Sequence, residues 1–182
     1  MDMSEFKGVW VFSEKYDLML EMLGKGREIA DKLQMELAAV LVGFNVQDRA
    51  GELIKYGADK VFLVDNQALE RFQVDAYLSV LHGLVLSHKP EIVLVGSTRN
   101  GKSVAARLAT RLGVGCVPDC IGLGVDERGR LVGERITYGG NAVAKIALKV
   151  KPQIVTVPAR AFEKLEPKVR SGQVVKLDVK VD

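Results

Sequence analysis

Apolar runs alternate with amphipathic patterns along the first two-thirds of the chain. Four runs rich in β-branched residues predict strands at 8–12, 37–42, 60–64 and 92–95. Apolar residues at helical spacing predict helices at 17–33, 47–56, 69–87 and 103–112. Strands that are apolar at consecutive positions are buried on both faces, as in a parallel sheet covered by helices. The pattern therefore predicts an α/β fold with a doubly wound, mostly parallel, Rossmann-like sheet.

The pattern changes after residue 113. Strand-like segments at 116–125, 131–137, 142–150 and 153–157 follow one another with little room for helices. Turns at 126–130 and at Gly139-Gly140 look like hairpin connections. We expect an antiparallel or mixed strand extension over about residues 114–158 within a domain spanning 1–165. Residues 166–182 form a tail in which 173–181 alternates as an edge strand does.

Composition narrows the classes of function. The 182 residues are 48% hydrophobic and 27% charged, which is typical of one globular domain. A net charge of +3 with 6% aromatic residues argues against a nucleic-acid partner. No apolar run approaches the roughly 20 residues of a membrane span, and no signal peptide is visible, so we expect a cytoplasmic protein without membrane insertion. Cys116 and Cys120 fit neither a redox motif nor a zinc site; two free thiols are expected, with a disulfide as the alternative.

The strongest single motif is a literal G-x-x-x-x-G-K-S string after the fourth predicted strand. In a phosphate loop, backbone N–H groups surround the phosphates, Lys neutralises them, and Ser or Thr binds Mg²⁺. Hydrolysis is the least favoured interpretation, because such loops usually follow the first strand and no downstream acidic strand end is available for the metal. Adenine-nucleotide or anion binding without chemistry, and a plain tight turn before a capped helix, both stay open. The candidate contact residues are Gly96, Ser97, Thr98, Arg99, Asn100, Gly101, Lys102 and Ser103.

The chain from 7 to 165 resembles the N-terminal domain of the electron transfer flavoprotein α subunit. The resemblance rests on GVWVFSE at 8–14, YGADKV at 56–61, PEIVLVG at 90–96 followed by GKSVAARLA at 101–109, Asp119, and RITYGGN at 135–141. Lys102-Ser103 replace the family's usual Arg-Asp, and this replacement creates the phosphate-loop string. The family's Arg-Pro-Gly after Val157 is replaced by Pro158-Ala159-Arg160.

The resemblance implies an adenine nucleotide alpha hydrolase-like fold and a scaffold role in an electron carrier. It implies assembly with a β-type subunit of similar fold, or with a second copy as a homodimer, and electron supply from dehydrogenases. FAD would be held mostly by a second domain that this sequence lacks. Tyr138, Gly139 and Gly140 would contact a partner domain or a flavin, with a plain hairpin turn as the alternative. We expect an exposed apolar patch on the extension, no catalytic site, and AMP or another adenine nucleotide on the Gly96–Ser103 turn only under the alternative function.

Overall fold

The computed structural model describes residues 5–179, which form ten strands and four α-helices. The strands are β1 (Val9–Phe12), β2 (Leu37–Gly43), β3 (Lys60–Asp65), β4 (Ile92–Gly96), β5 (Cys116–Val117), β6 (Gly122–Val125), β7 (Leu131–Thr137), β8 (Ala142–Ala147), β9 (Gln153–Val157) and β10 (Gln173–Lys176). The helices are α1 (Tyr16–Leu33), α2 (Ala50–Lys55), α3 (Val74–His88) and α4 (Arg99–Leu112). Short 3-10 turns occupy Gln47–Arg49, Gln67–Leu69 and Tyr138–Gly140.

Seven strands form one parallel sheet in the order β10-β3-β2-β1-β4-β9-β5. Alternate residues of β1 enter two separate cores. Val9 and Val11 pack with residues of α1 and α2, whereas Trp10 and Phe12 pack with residues of α3 and α4. Helices therefore cover both faces, which explains why the strands are apolar at consecutive positions. The predicted doubly wound α/β fold is confirmed.

The predicted extension is a three-stranded antiparallel sheet in the order β6-β7-β8, so part of that expectation is correct. Two of its segments need correction. The segment 116–125 divides into β5 of the large sheet and β6 of the small one, with Asp119 at a positive φ of 54° in the turn between them. The segment 153–157 is β9, a fully buried parallel strand between β4 and β5. A short buried apolar strand has no alternation, so its pattern does not specify its partner.

Two helix starts also differ from the sequence prediction. Asn66 accepts a hydrogen bond from the Ala68 amide (2.9 Å) and caps a 3-10 turn, so α3 begins at Val74 rather than at 69. Helix α4 begins at Arg99, four residues before the predicted start, because the Thr98 side chain caps it. The second correction matters for function, since it moves most of the candidate turn into a helix.

The segment 158–172, here called the strap, crosses α1 and α2 and leads to β10. The Lys168 amide donates to the carbonyl oxygen of Lys55 (2.9 Å), and the Glu163 carbonyl oxygen lies 2.7 Å from where a Cβ on Gly24 of α1 would stand. The strap delivers β10 to the edge of the large sheet, where it pairs in parallel with β3. The predicted edge strand is thus confirmed for Gln173–Lys176, while positions 180 and 181 lie outside the described residues. The boundary between 1–165 and 166–182 stays a prediction.

Candidate functional site

Polar side chains meet where the carboxyl ends of β1, β4 and β9 lie beside the turn after β5. In an open α/β sheet this is the edge where ligands bind, and the chain reverses its strand order here, between β1 and β4. The side chains concerned are called the carboxyl-edge cluster: Glu14, Ser97, Thr98, Asp119 and Thr156. Ser97 and Thr98, two of the predicted site residues, belong to it.

One half of the cluster is a closed hydrogen-bond network between β4, β9 and the turn after β5. The Ser97 hydroxyl donates to the Asp119 carboxylate and lies 3.0 Å from the hydroxyl oxygen of Thr156. The Asp119 amide donates back to that Thr156 oxygen (2.9 Å), and the Ser97 amide donates to the Val157 carbonyl (2.7 Å). These bonds join the strand ends, so their groups already have partners within the chain.

The other half of the cluster lies at the N-terminus of α4. The Thr98 oxygen accepts from the Gly101 amide (2.8 Å), and the Thr98 hydroxyl donates to one Glu14 carboxylate oxygen. The second Glu14 oxygen is buried and has no partner among the described residues. A carboxylate at a helix N-terminus is stabilised by the helix dipole, but it occupies the place that a phosphate takes in a phosphate loop.

The side chains of Lys102 and Ser103, the Lys and Ser of the phosphate-loop string, contact other groups of the chain. The Lys102 ammonium lies 3.5 Å from the Asp119 carboxylate, and the Ser103 hydroxyl donates to the carbonyl of Arg99 within the helix (3.1 Å). A Cβ on Gly101 would lie 1.9 Å from the Gly96 carbonyl oxygen, so this glycine lets the helix approach the end of β4. Close packing therefore explains the glycines, and the assignment of 96–103 to an anion stays a prediction that these contacts disfavour.

Tyr138, Gly139 and Gly140 lie elsewhere, in the turn that joins β7 to β8. All three have positive φ angles (50°, 64° and 101°), and the Tyr138 side chain is 85% exposed. Asn141 closes the turn by donating its side-chain amide to the Tyr138 carbonyl (2.9 Å). Within residues 5–179 no hydrogen bond or ion pair joins this turn to the carboxyl-edge cluster, so the two sets of predicted contacts do not form one bonded site.

The model of the family described as "Electron transfer flavoprotein domain" matches residues 9–182. The chain belongs to this family. The resemblance stated from the sequence motifs is thereby confirmed.

Curated relatives extend beyond the region that matches this chain. It is 40% identical to the electron transfer flavoprotein subunit alpha of Clostridium acetobutylicum, with 100% of this chain and 57% of the relative covered. It is 36% identical to the subunit alpha of Thermoanaerobacterium thermosaccharolyticum (99% and 57% covered) and 39% identical to Protein FixB of Clostridium saccharobutylicum (100% and 56%). The chain therefore spans a little over half the length of these relatives.

The family name implies a flavin, and the carboxyl-edge cluster does not fit the pyrophosphate of FAD. Two carboxylates, those of Glu14 and Asp119, lie where a pyrophosphate would require donors. The amides of Ser97, Gly101 and Lys102 already donate to oxygen atoms of the chain. We therefore derive no step of electron transfer through this cluster.

Several other chemistries find no support in the described part of the chain. Cys116 and Cys120 are free thiols, and burial raises the pKa of Cys116 to about 11 and that of Cys120 to about 12, so neither is a reactive thiolate near neutral pH. Among residues 5–179, no group of three or more His, Cys, Asp or Glu is arranged to hold a metal ion. No helix in the same range is long and apolar enough to cross a membrane.

Sequence reasoning left one member of the cluster unnoticed. Thr156 lies in a β-branched run, QIVTV, where it looks like any other strand residue, yet its hydroxyl contacts both Ser97 and Asp119. The available signal was one polar residue in a strand that is otherwise apolar after its first position. Such a residue, when buried, needs a hydrogen-bond partner.

Replacing Lys102 with alanine is expected to leave the fold and its stability nearly unchanged, with a loss below about 1 kcal/mol. Among residues 5–179 it forms one ion pair, with Asp119, which is 3.5 Å long and joins two side chains that are both nearly half exposed. Thermal unfolding and isothermal titration with ATP and AMP check this, and Lys149→Ala, at an exposed lysine outside the string, is the matched control. Nucleotide binding that is measurable in the unmodified chain, lost in Lys102→Ala and retained in the control variant would favour the phosphate-loop interpretation instead.

Proposed function

We propose that this domain is the scaffold of an electron transfer flavoprotein-type carrier and that it acts by assembly with a β-type subunit. In the assembled protein, FAD lies mostly on residues that do not belong to this sequence, and dehydrogenases supply the electrons. The domain itself carries no substrate chemistry. Support comes from family membership, from relatives named as subunits, and above all from the outer surface of the small sheet.

That surface, the outer sheet surface, consists of Ile136, Tyr138 and Val143. Ile136 of β7 and Val143 of β8 are direct cross-strand partners, and they are 50% and 54% exposed. Tyr138 stands at the adjoining turn and is more exposed still. Leu131 and Gly133, on the opposite face of β7, are buried against the large sheet. The small sheet thus buries apolar residues on one face and leaves a second group of apolar side chains exposed on the other.

The backbone of β8 supports the same proposal. β8 pairs with β7 on one side, and within residues 5–179 no strand pairs with its other side. A strand edge with apolar side chains beside it is a ready template for another chain. The neighbouring ion pair between Lys145 and Glu134 (2.8 Å) gives this surface a polar border, as protein interfaces commonly have. We infer that a second folded chain covers this surface.

The alternative, a free-standing adenine-nucleotide-binding module, lacks a comparable observation. Glu14 and Thr98 already occupy the start of α4, and three of the candidate amides have acceptors in the chain. The Lys102→Ala variant separates the two functions, because assembly through the outer sheet surface does not use Lys102.

Replacing Ile136 with glutamate is expected to weaken assembly with the β-type subunit by about 100-fold, because a charged group would be buried without a partner. Val143→Lys on the facing strand should have a similar effect. Analytical ultracentrifugation and titration calorimetry with the co-purified β-type subunit measure the change.

The matched control is Val169→Glu on the strap, since Val169 is 100% exposed and far from the small sheet in the chain. It should assemble as the unmodified chain does. Equal affinities for all three variants would contradict the proposed interface. Self-association of the chain that Ile136→Glu abolishes, without any binding of a β-type subunit, would identify a homodimer in its place.

A further inference from the structure

Residues 158–179, here called the strap–β10 segment, differ from the rest of the domain in burial. The segment comprises the strap, β10 and the three residues after it. The structure describes all of its residues, and none of them is buried. The neighbouring strand β3 is the opposite, because Val61, Phe62, Leu63 and Val64 are at most 4% exposed. The segment therefore gains little from the hydrophobic effect, which is the dominant favourable contribution to folding.

Backbone hydrogen bonds attach the segment to α2 and β3. The Lys168 amide donates to the last residue of α2 (2.9 Å). The Gln173 amide donates to the carbonyl of Asp59 (3.0 Å), and the Leu177 amide donates to that of Leu63 (2.9 Å), with the β10–β3 pairing between them. Each such bond contributes modestly to stability, because in an open segment the same groups would bond to water.

Apolar contacts of the segment lie at the margin of the domain. Leu165 packs over two glycines, with 3.4 Å between its Cγ and the position of a Cβ on Gly24 and 3.3 Å between its Cδ1 and that on Gly57. Even so, Leu165 is 38% exposed, and Val169 is 100% exposed. Ordering a segment costs conformational entropy at every residue, and half-exposed contacts offset that cost by a smaller margin than buried strands do.

Both halves of the segment are anchored at one residue, Asp59. Its carboxylate pairs with Arg27 of α1 (2.6 Å) and with Arg170 of the strap (3.2 Å), and its carbonyl accepts the Gln173 amide at the start of β10. Gly172 lies between these contacts, and a Cβ there would stand 3.0 Å from the Asp59 carbonyl oxygen. Separation at this point therefore weakens the attachment of the strap and of β10 together.

We propose that the strap–β10 segment opens and closes as one unit while the rest of the domain stays folded, and that the contacts at Asp59 hold it closed. Segments with few buried apolar contacts and exposed backbone hydrogen bonds are those that open locally in native proteins. Opening leaves the outer edge of β3 without its partner strand, since β2 occupies the other edge. The amides and carbonyls of that edge are thus available to another strand only in the open form.

The test is hydrogen exchange of the ¹⁵N-labelled chain, followed by NMR at low concentrations of urea. The amides of Lys168, Gln173 and Leu177 report on the segment. Those of Val9 and Gln153, which are hydrogen-bonded within the body of the domain (2.9 and 2.8 Å), report on global unfolding. We expect the three segment amides to share one urea dependence and to have protection factors at least about 100-fold smaller than the two reference amides.

Leu165→Ala tests whether the segment is one unit. Removing this strap contact should lower the protection of the Leu177 amide by about fivefold, although Leu177 bonds to a different element. Leu86→Ala in α3, at a side chain that is 49% exposed, is the matched control and should leave Leu177 unchanged. Arg170→Gln should act in the same direction as Leu165→Ala, because it removes the ion pair to Asp59.

Two results would overturn the proposal. Segment amides as well protected as Val9 and Gln153 would mean that the segment opens only when the whole domain unfolds. Lower protection at Lys168 without any change at Leu177, in both Leu165→Ala and Arg170→Gln, would mean that the strap and β10 open separately. A failure here leaves the assembly proposal untouched, since that proposal is tested by variants of the small sheet.

Discussion

Gly101→Ala is expected to lower the free energy of unfolding by about 3 kcal/mol. A Cβ at this position would lie 1.9 Å from the Gly96 carbonyl oxygen, well inside contact distance. The obstructing atom is backbone and belongs to the buried end of β4, so it cannot rotate away as a side chain could. Helix α4 would have to move off the sheet and strain its packing at Val104, Ala105 and Leu108. Urea unfolding followed by circular dichroism measures the loss.

The matched control is Gly83→Ala in α3, where a Cβ would have nothing within 4 Å. This substitution should stabilise the protein by about 0.5–1 kcal/mol, because alanine is the better helix former. If the two variants were equally stable, close approach of α4 to β4 would not be the reason for glycine at 101.

The contrast between these glycines explains why the phosphate-loop string is ambiguous in the sequence. A glycine that allows a phosphate to approach the backbone cannot be distinguished in the sequence from one that allows a neighbouring carbonyl group to approach it. What separates them here is the helix start, because Thr98 caps α4 and draws Arg99 to Ser103 into helical geometry. N-capping by a threonine is a local effect. A tight turn before a capped helix was accordingly one of the two interpretations that the sequence left open.

The large sheet was predictable because its strands obey a strong rule. Runs such as the VWVF of β1 and the IVLVG of β4 are apolar at every position, and only a sheet covered on both faces buries every position. The same rule could not assign β9, whose partner is set by tertiary packing rather than by local pattern. Pairing of β9 with β4 and β5 encloses the carboxyl-edge cluster, and therefore the part of the site that includes Thr156 was also not predictable.

The strap was less predictable still, for a related reason. Residues 158–172 have no periodicity, and their course over α1 and α2 depends on single close approaches such as that of Glu163 to Gly24. The backbone hydrogen bond from Lys168 of the strap to Lys55 of α2 exists only because of this course. Charged residues scattered through a sequence give no sign of which will converge, so the sequence did not reveal that Arg27 of α1 and Arg170 of the strap both pair with Asp59.

Phe12→Ala is expected to destabilise the protein by about 4 kcal/mol, the other large effect that the structure predicts. The Phe12 side chain is 0% exposed, lies at the end of the central strand β1, and its ring centroid is 6.3 Å from that of Tyr77 in α3. Truncation removes buried apolar area and leaves a cavity that the surrounding strands cannot close. Trp10, the single tryptophan, lies two residues earlier on the same face of the strand, so its fluorescence reports unfolding directly.

Phe72→Ala is the matched control, since Phe72 contacts the same Tyr77 ring (4.5 Å between centroids) but is only partly buried at the edge of that core. Its loss should cost clearly less, because less apolar area leaves water when it packs. A smaller loss of stability for Phe12→Ala than for Phe72→Ala would mean that the core between the sheet and α3 is stabilised mainly by its peripheral residues.

The carboxyl-edge cluster begins two residues after Phe12, at Glu14, so a weakened core at this strand should also loosen the start of α4. Faster amide exchange at Gly101 in Phe12→Ala, and unchanged exchange in Phe72→Ala, is the result we expect from that coupling.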